Sequence, residues 1–208
     1  MRTAIQIVLV LVIVLLAYLL IESIQRPIRF NKEVASREDV TINRLKDIRK
    51  AQVAFKDVNG KYTGSFDTLL SFVKNDSFTI VSKILLQGWD PDKFTEAEGI
   101  KKGLIKVSET KKSVLDSLFG KDYPVDRLQY IPFTNGKKFI MGAGQVPTVS
   151  GVVVKVFEVY ANFDTLLADL DPQLVTNYTY EREKVTHFPG LRVGSLTEAT
   201  NNAGNWEK

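Results

Sequence analysis

Few side chains in this sequence are of a type and spacing that supports catalysis. The chain has no cysteine and a single histidine, His187, which excludes a thiol nucleophile, a thiolate metal site and a two-histidine metal site. As the base of a serine triad, His187 would need a Gly-x-Ser-x-Gly elbow, and the sequence contains none. Residues 186–190 (THFPG) are typical of a turn, so we interpret His187 as structural.

Two carboxylate pairs and one glycine-rich stretch are the remaining candidates for chemistry. Glu96 with Glu98, and Asp90 with Asp92, are expected to be solvated, and only the fold decides whether two carboxylates converge as in a glycosidase. Residues 142–147 (GAGQVP) partly match a phosphate-binding loop, but proline replaces the third glycine and a strand follows. We therefore predict no enzymatic activity and no catalytic, metal or cofactor-binding residue.

The elements that hold these residues begin with an apolar segment. Residues 4–21 (AIQIVLVLVIVLLAYLLI) carry no charge, and their length of about 27 Å is enough for one membrane crossing. A cleaved signal peptide is the alternative, but its apolar region is usually shorter, and no small-x-small cleavage site follows here. We predict a short tail over residues 1–3 and an uncleaved transmembrane anchor over residues 4–24.

Residues 25–60 are predicted to form a juxtamembrane stretch and a long amphipathic helix. Pro27 favours an end or a kink of the membrane helix. Asn31 is a suitable N-cap for a second helix, and Asn59-Gly60 provides a left-handed stop. Apolar residues recur every three to four positions on the face expected to be buried: Val40 or Ile42, Leu45, Ile48, Ala51 or Gln52, Phe55 and Val58.

Residues 44–64 (RLKDIRKAQVAFKDVNGKYTG) resemble the end of the N-terminal helix of type IV pilins and type II secretion pseudopilins. In those families an Ala/Gln helix with an aromatic residue leads into an Asn-Gly-x-Tyr-Thr turn and a short leucine-containing segment, here residues 65–73. The resemblance implies a membrane-embedded helix, an extracytoplasmic head whose antiparallel sheet packs on that helix, and assembly rather than catalysis. No glycine precedes the apolar segment and Glu22 follows it, so a prepilin cleavage site is not recognisable, and we expect a permanent anchor.

The orientation of the anchor rests on two opposing signals. More positive charges follow the apolar segment than precede it, which by the positive-inside rule places the large domain in the cytoplasm. A helix at the extreme N-terminus, however, usually enters as a signal anchor with its tail inside. Together with the resemblance, this favours a single-pass protein of the bacterial inner membrane with its C-terminal domain in the periplasm.

Residues 61–193 are predicted to form one α+β head. Residues 65–70 and 162–167 are near-copies (SFDTLL and NFDTLL), which we interpret as two helices that start in the same way. Further predictions follow from β-branched runs and capping signals. They are a strand at 78–86, a capped helix at 95–102, a strand at 103–107, and either a helical turn or an extended segment at 113–119.

The strongest β signal lies further along the head. Residues 127–134 and 137–142 flank Asn135-Gly136, the pair preferred in type I′ hairpins. A loop over residues 143–151 and a strand over residues 152–160 follow, so we predict a three-stranded antiparallel meander. The predicted fold is α+β, with a transmembrane helix and a long amphipathic helix packed on an antiparallel sheet.

Aromatic residues are the candidates for partner contacts. Residues 178–183 (YTYERE) are either a last strand or a contact surface, and Trp89 is either an exposed anchor or folded back over a small core. Residues 194–208 are polar and predicted to lie over the surface, docked by Trp206. The candidate contact residues are Trp89, Tyr178, Tyr180 and Trp206.

Charge does not favour nucleic acid as a partner. The net charge is +4, with acidic and basic residues interleaved, and no basic block with interspersed aromatic residues occurs. The leading hypothesis is a membrane-anchored, pilin-like structural subunit that contacts the lipid bilayer and other envelope proteins. The alternatives are a tethered peptide- or glycan-binding module and, with least support, a membrane-bound hydrolase.

Overall fold

The longest element is one uninterrupted helix. In the computed structural model, which describes residues 2–86, 89–90, 93, 95–148 and 150–207, helix α1 runs from Arg2 to Asn59 over 58 residues, or about 87 Å. It ends where predicted, because Gly60 adopts a φ of 70° and its amide donates to the carbonyl oxygen of Lys56 at 2.7 Å.

Pro27 lies inside α1, so a helix end at Pro27 and a second start at Asn31 are wrong, whereas a kink at Pro27 stays a prediction. An internal proline costs about 3 kcal/mol. Just beyond it, Phe30 and Val34 are buried, with 8% and 2% of their surfaces exposed, and burial of such side chains contributes about 1.5–3 kcal/mol each. Packing beyond the proline therefore outweighs the local penalty.

Helix α1 changes character along its length. Between residues 5 and 21 its large apolar side chains are 47–65% exposed. Mean hydropathy reaches 3.0 over an 18-residue window, so the helix is long and apolar enough to cross a membrane. The predicted stripe further along is buried, although Val40 and Val58 are exposed. Its buried members are Leu45, Ile48, Ala51, Gln52 and Phe55.

The chain forms two compact units. The first unit is Met1–Arg49 with Leu128–Lys208, and the second is Lys50–Arg127. The second contains α2 (Phe66–Asn75), β1 (Ser77–Leu85), α3 (Glu96–Lys101), β2 (Ile105–Ser113) and α4 (Val114–Leu118), and a 3-10 helix (Val125–Gln129) follows at its boundary. The first contains β3 (Ile140–Pro147), β4 (Val153–Asn162), α5 (Phe163–Leu166), α6 (Pro172–Thr186) and β5 (Gly190–Gly194).

Both sheets are antiparallel, so the α+β prediction is confirmed. In the second unit, β1 and β2 pair from Ser77 with Ser113 to Leu85 with Ile105. The strand at 78–86 and the capped helix at 95–102 are confirmed, and the open segment 113–119 is helical as α4. That a sheet packs on α1 as in pilins stays a prediction.

The predicted type I′ turn at Asn135-Gly136 and the two long strands that flank it are wrong, although the flanking residues pair antiparallel through one bridge, Tyr130 with Lys138. A 3-10 helix occupies Val125–Gln129, and only a short ladder joins residues 129–131 to 137–139, with the amide of Ile131 on the carbonyl of Lys137 at 2.8 Å. Pro132 follows Ile131 and has no amide to continue the ladder. Gly136 has a positive φ but Asn135 does not, whereas a type I′ turn requires both.

The predicted loop at residues 143–151 is also wrong over most of its length, because β3 continues to Pro147. The sheet order is β3-β4-β5, and β3 pairs with the valine-rich β4 from Ile140–Tyr160 to Pro147–Val153. Pairing with a good strand former overrides the low β propensity of Gly142 and Gly144. The GAGQVP stretch is thus extended backbone, not a phosphate loop.

The two near-copies do start helices, as predicted. Helix α2 begins at Phe66 and α5 at Phe163, with Asp67 and Asp164 in their first turns. The helices differ in length, because α2 continues for 10 residues and α5 for 4. Phe163 is fully buried, so the second copy serves packing of the first unit.

Gly194 provides a test of this fold, with Gly136 as a matched control. Both residues have a positive φ (71° and 75°), but a Cβ at Gly194 would overlap the carbonyl oxygen of Phe157, whereas Gly136 faces open space. The left-handed backbone costs an alanine about 1–2 kcal/mol, and overpacking adds roughly 1–3 kcal/mol. Gly194→Ala is therefore expected to lower the free energy of unfolding by more than Gly136→Ala, as measured by denaturant titration in detergent. Equal losses would contradict the close approach of β5 to β4.

Candidate functional site

One buried charge lies on the stripe of α1 that faces the first unit. Arg37 is 6% exposed. Its guanidinium donates to both carboxylate oxygens of Asp169, with Nη2 to Oδ2 at 2.8 Å, to Oε1 of Glu33 at 2.9 Å, and to the carbonyl of Leu166 at 3.2 Å. It also lies 5.4 Å from the ring centroid of Phe133. These contacts tie α1 to the segment between α5 and α6.

The electrostatics of this pair favour the charged forms of both groups. The hydrogen bond with Asp169 raises the pKa of Arg37, against the opposing effect of burial. The same hydrogen bond lowers the pKa of Asp169 from its ordinary value of 3.8. The Asp169 side chain remains 62% exposed and that of Arg37 only 8%, so the arginine carries most of the desolvation cost.

A second contact group joins α6 to α1 through Tyr178. Its hydroxyl donates to Oε1 of Glu38 at 2.7 Å, and its ring meets Phe30 and Phe163 edge-on, at centroid distances of 6.1 and 5.2 Å. Burial, followed by the interaction with Glu38, raises the pKa of Tyr178. Arg182 also faces Glu38, at 3.8 Å. A neutral tyrosine thus fastens the two helices.

Two further ion pairs hold α1, one on the N-terminal side and one on the C-terminal side of these contacts. Arg26 pairs with Asp171, the N-cap of α6, and the hydrogen bond from Arg26 lowers the pKa of Asp171. Arg49 pairs with Glu207 at 2.9 Å and donates to the carbonyl of Asn202 at 3.2 Å. We call the contacts of Arg26, Arg37, Glu38 and Arg49 the helix clamp.

The aromatic candidates occupy different settings. Tyr178 belongs to the helix clamp, so it is engaged inside the first unit. Tyr180 is 60% exposed, with Nζ of Lys184 at 4.0 Å from its ring centroid. Both lie in α6, so the reading of residues 178–183 as a strand is wrong. That Tyr180 contacts a partner stays a prediction.

The two tryptophans both pack against glycines. The half-buried ring of Trp89 lies so close to Gly99 that no Cβ fits there, so it folds back over a small core. The half-buried ring of Trp206 covers Gly204 in the same way. The tail lies on the first unit, because Gly204 bridges to Val193, whereas docking through Trp206 stays a prediction. Among the described residues, the indole nitrogen of Trp206 is one of the buried polar atoms without a hydrogen-bond partner.

His187 lies in a turn, as predicted. It is the C-cap of α6 with a φ of 53°, and its amide donates to the carbonyl of Glu183 at 2.8 Å. It lines a pocket of about 90 Å³ with Arg192 and Glu198. Arg192 is paired with Glu158 at 3.2 Å, so its charge is already compensated, and the pocket has room for a few ordered waters.

The described carboxylates of the two predicted pairs each have a different partner. Glu98 closes a capping box on α3, and the hydrogen bond from the Thr95 amide lowers its pKa. Glu96 pairs with Lys83, and Asp90 with Lys93 at 3.0 Å. Asp92 lies outside the described residues. In the part of the chain that the structure describes, no three His, Cys, Asp or Glu side chains group to hold a metal.

The β1–β2 ribbon presents an apolar surface that the sequence analysis did not identify. The β-branched residues of 78–86 predict a strand, but not how much of it is covered. Large apolar side chains of the ribbon and of α3 are 38–59% exposed, and exposed apolar patches mark contact sites. We use the name ribbon surface for these exposed side chains, which lie on both faces of the ribbon and on α3: Val81, Ile84, Leu85, Leu86, Ile100 and Val107.

Comparison with known proteins adds no relative. No protein-family model, no curated protein and no solved structure matches this chain. The likeness of residues 44–64 to pilins therefore stays a prediction.

Asp169→Asn tests the helix clamp, with Asp164→Asn as the control. Loss of the carboxylate leaves the buried Arg37 guanidinium underpaired. Because Asp169 is itself largely exposed, we expect a loss of about 2 kcal/mol, less than the ~3–5 kcal/mol of a fully buried pair. Asp164 is exposed in the neighbouring α5, and its amide variant should stay within about 0.5 kcal/mol of the original. If denaturant unfolding gave both variants a similar stability, the pair of Arg37 with Asp169 would not be what holds α1 in place.

The same pair predicts a pH dependence. Because the folded-state pKa of Asp169 lies below its ordinary value of 3.8, its contribution to stability is complete well above that value and is lost as pH falls toward the lowered pKa. The difference in unfolding free energy between the unmodified chain and Asp169→Asn should therefore be constant from about pH 5 to 7 and shrink below about pH 4. A difference that persists unchanged at low pH would argue for packing rather than charge.

Proposed function

We propose that the protein is a membrane-anchored, pilin-like structural or scaffold subunit of a bacterial cell-envelope complex, acting through protein–protein contacts. The observation that carries this proposal is the continuity of α1. One helix holds an exposed apolar stretch at residues 5–21 and, from Phe30 onward, the buried stripe of the first unit.

A rigid connection of this kind suits a subunit that must present its surface at a defined place on a membrane. Only eight residues separate Ile21 from the buried Phe30, about 14 Å of helix between the two Cα atoms. The helix clamp then fixes the first unit to α1 at four positions. The domain is therefore held close to the end of the apolar stretch instead of swinging on a flexible linker.

Protein–protein contact is the activity that the described surfaces support best. The ribbon surface exposes six large apolar side chains, distributed over both faces of the ribbon and α3, and exposed apolar patches are typical of contact sites. The glycan- or peptide-binding alternative is weakened, because Tyr178 is engaged with Glu38 and the described residues that line the pocket beside His187 include no Phe, Tyr or Trp.

Charged substitutions in the apolar stretch test the anchor. Val10→Arg with Val14→Arg places two guanidiniums on one face of α1, each costing about 2.5–3.5 kcal/mol at the centre of a membrane helix. We expect the unmodified chain to stay in carbonate-washed membranes with its full mass, and the double variant to leave them. Val185→Arg is the control, because Val185 is 73% exposed on α6. An unmodified chain in the soluble fraction, or one shortened beyond Ile24, would refute the anchor.

Thiol labelling tests the orientation of the domain across the membrane. Because the chain has no cysteine, Val185→Cys offers a single reactive thiol, which a membrane-impermeant maleimide should label in intact spheroplasts if the domain is periplasmic. Labelling only after lysis would place the domain in the cytoplasm.

The particle mass tests the assembly. In mild detergent the particle should exceed the 23.4 kDa of one chain after subtraction of the micelle. A bare monomer would contradict a structural subunit.

A further inference from the structure

The three-stranded sheet of the first unit has two edges, and the chain itself closes one of them. On β5, the residues that face away from β4 are Gly190, Arg192 and Gly194. The carbonyl of Gly190 accepts from the Asn205 side chain at 2.9 Å, Arg192 exchanges hydrogen bonds with Asn205, and the amide of Gly194 donates to Ala203 at 3.0 Å. The C-terminal segment therefore covers the whole β5 edge.

The other edge, along β3, follows the same alternation. The amide of Thr148 donates to Val152 at 2.8 Å, and the register pairs Val146 with Val154. Because hydrogen-bonded pairs alternate along an antiparallel ladder, even-numbered residues of β3 face β4 and odd-numbered residues face outward. Pro147, which has no amide, occupies an outward position, as edge prolines do.

The outward groups of Ala143 and Gln145 are open. Both residues are exposed, and within the described part of the chain their outward amides and carbonyls have no partner. The usual edge protections are also missing, since β3 (IMGAGQVP) carries no charged residue. Its only proline stands at its end.

We propose that this edge pairs with the β3 strand of a second copy of the chain. A two-fold axis through Gly144 places Ala143 opposite Gln145 of the other copy, and each such pair can exchange both of its hydrogen bonds. The open positions are symmetric about Gly144, and an uncharged strand meets no like charge in its copy. The two sheets become one continuous sheet. The contact deepens the proposed assembly role by naming one partner surface.

A second copy fits this edge for a further reason. The pairing between the two copies ends at Pro147 on one side, because proline has no amide to donate. By the two-fold symmetry, it faces Met141 of the other copy and limits the other side in the same way. A second β3 has the same length and the same proline, so the pairing ends at equivalent positions in both copies.

Disulfide trapping tests the proposal, because the chain has no cysteine of its own. Gly144 and its symmetry mate form a non-hydrogen-bonded pair with Cα atoms about 4.5 Å apart, within the range that a disulfide spans. A Cβ at Gly144 would meet Leu196 at an ordinary 3.5 Å, so the cysteine fits the fold. Mild oxidation of Gly144→Cys in detergent should yield a species of twice the mass. Val185→Cys, an exposed cysteine on α6, should stay monomeric under the same oxidation.

A backbone variant separates strand pairing from chance collision. Gln145→Pro removes an outward amide and leaves the inward bonds to β4, and the loss in both copies should lower the disulfide yield of Gly144→Cys about tenfold or more. Gln145→Thr keeps the amide and should preserve the yield. Circular dichroism of each reduced variant confirms folding.

Three outcomes overturn the inference. They are a monomeric Gly144→Cys after oxidation, a yield unaffected by Gln145→Pro, or a disulfide to a different protein, which would assign the edge to another partner. An unmodified chain that is large and membrane-bound, but whose Gly144→Cys variant does not crosslink, refutes this contact and leaves the proposed function standing. A soluble chain refutes the anchor instead, whatever the crosslinking shows.

Discussion

The structure depends on the pairing of one buried arginine. Arg37 lies on the stripe of α1 that packs into the first unit, and a guanidinium in that position is tolerable only while carboxylates and a carbonyl take up its donors. Asp169, Glu33 and Leu166 do so. This requirement sets how far α1 can slide or rotate against the α5–α6 segment, since a small shift would leave a charge without partners. Apolar contacts such as those of Phe30 and Tyr178 stabilise the packing, but they fix the position of α1 less strictly.

The helix clamp fixes the position of residues 5–21 as well, because α1 is continuous. A break at Pro27 would have made the apolar stretch a loose tether, whereas the unbroken helix transmits the position of the first unit to residues 5–21. The neighbouring contacts of Arg26 and Arg49 spread this connection over six turns of helix. The apolar stretch and the first unit are thus joined by continuous helix, which is the connection that the proposed scaffold role requires.

Two exposed features of the described residues are candidates for contact with another molecule. In the described residues, the carboxylates singled out at first are a helix cap and partners of lysines, and the histidine ends a helix. What remains uncovered is hydrophobic or backbone in character: the ribbon surface of the second unit, and the open groups of β3 in the first. Such groups are stabilised when they meet another protein surface.

Local pattern was sufficient for the apolar stretch, the stop at Gly60, the strand at 78–86, the capped helix at 95–102 and both near-copied helix starts, because each depends on residues within a few positions of one another. It failed at Pro27, at Asn135-Gly136 and along β3, where packing or pairing with distant residues outweighed propensity. Neither Arg37 nor Asp169 stood out, because they lie 132 positions apart and nothing in the linear order marks them as partners. Tyr178 was noticed for its ring, but only the folded chain turned that ring inward, since burial against Phe30 and Phe163 is created by the approach of α6 to α1.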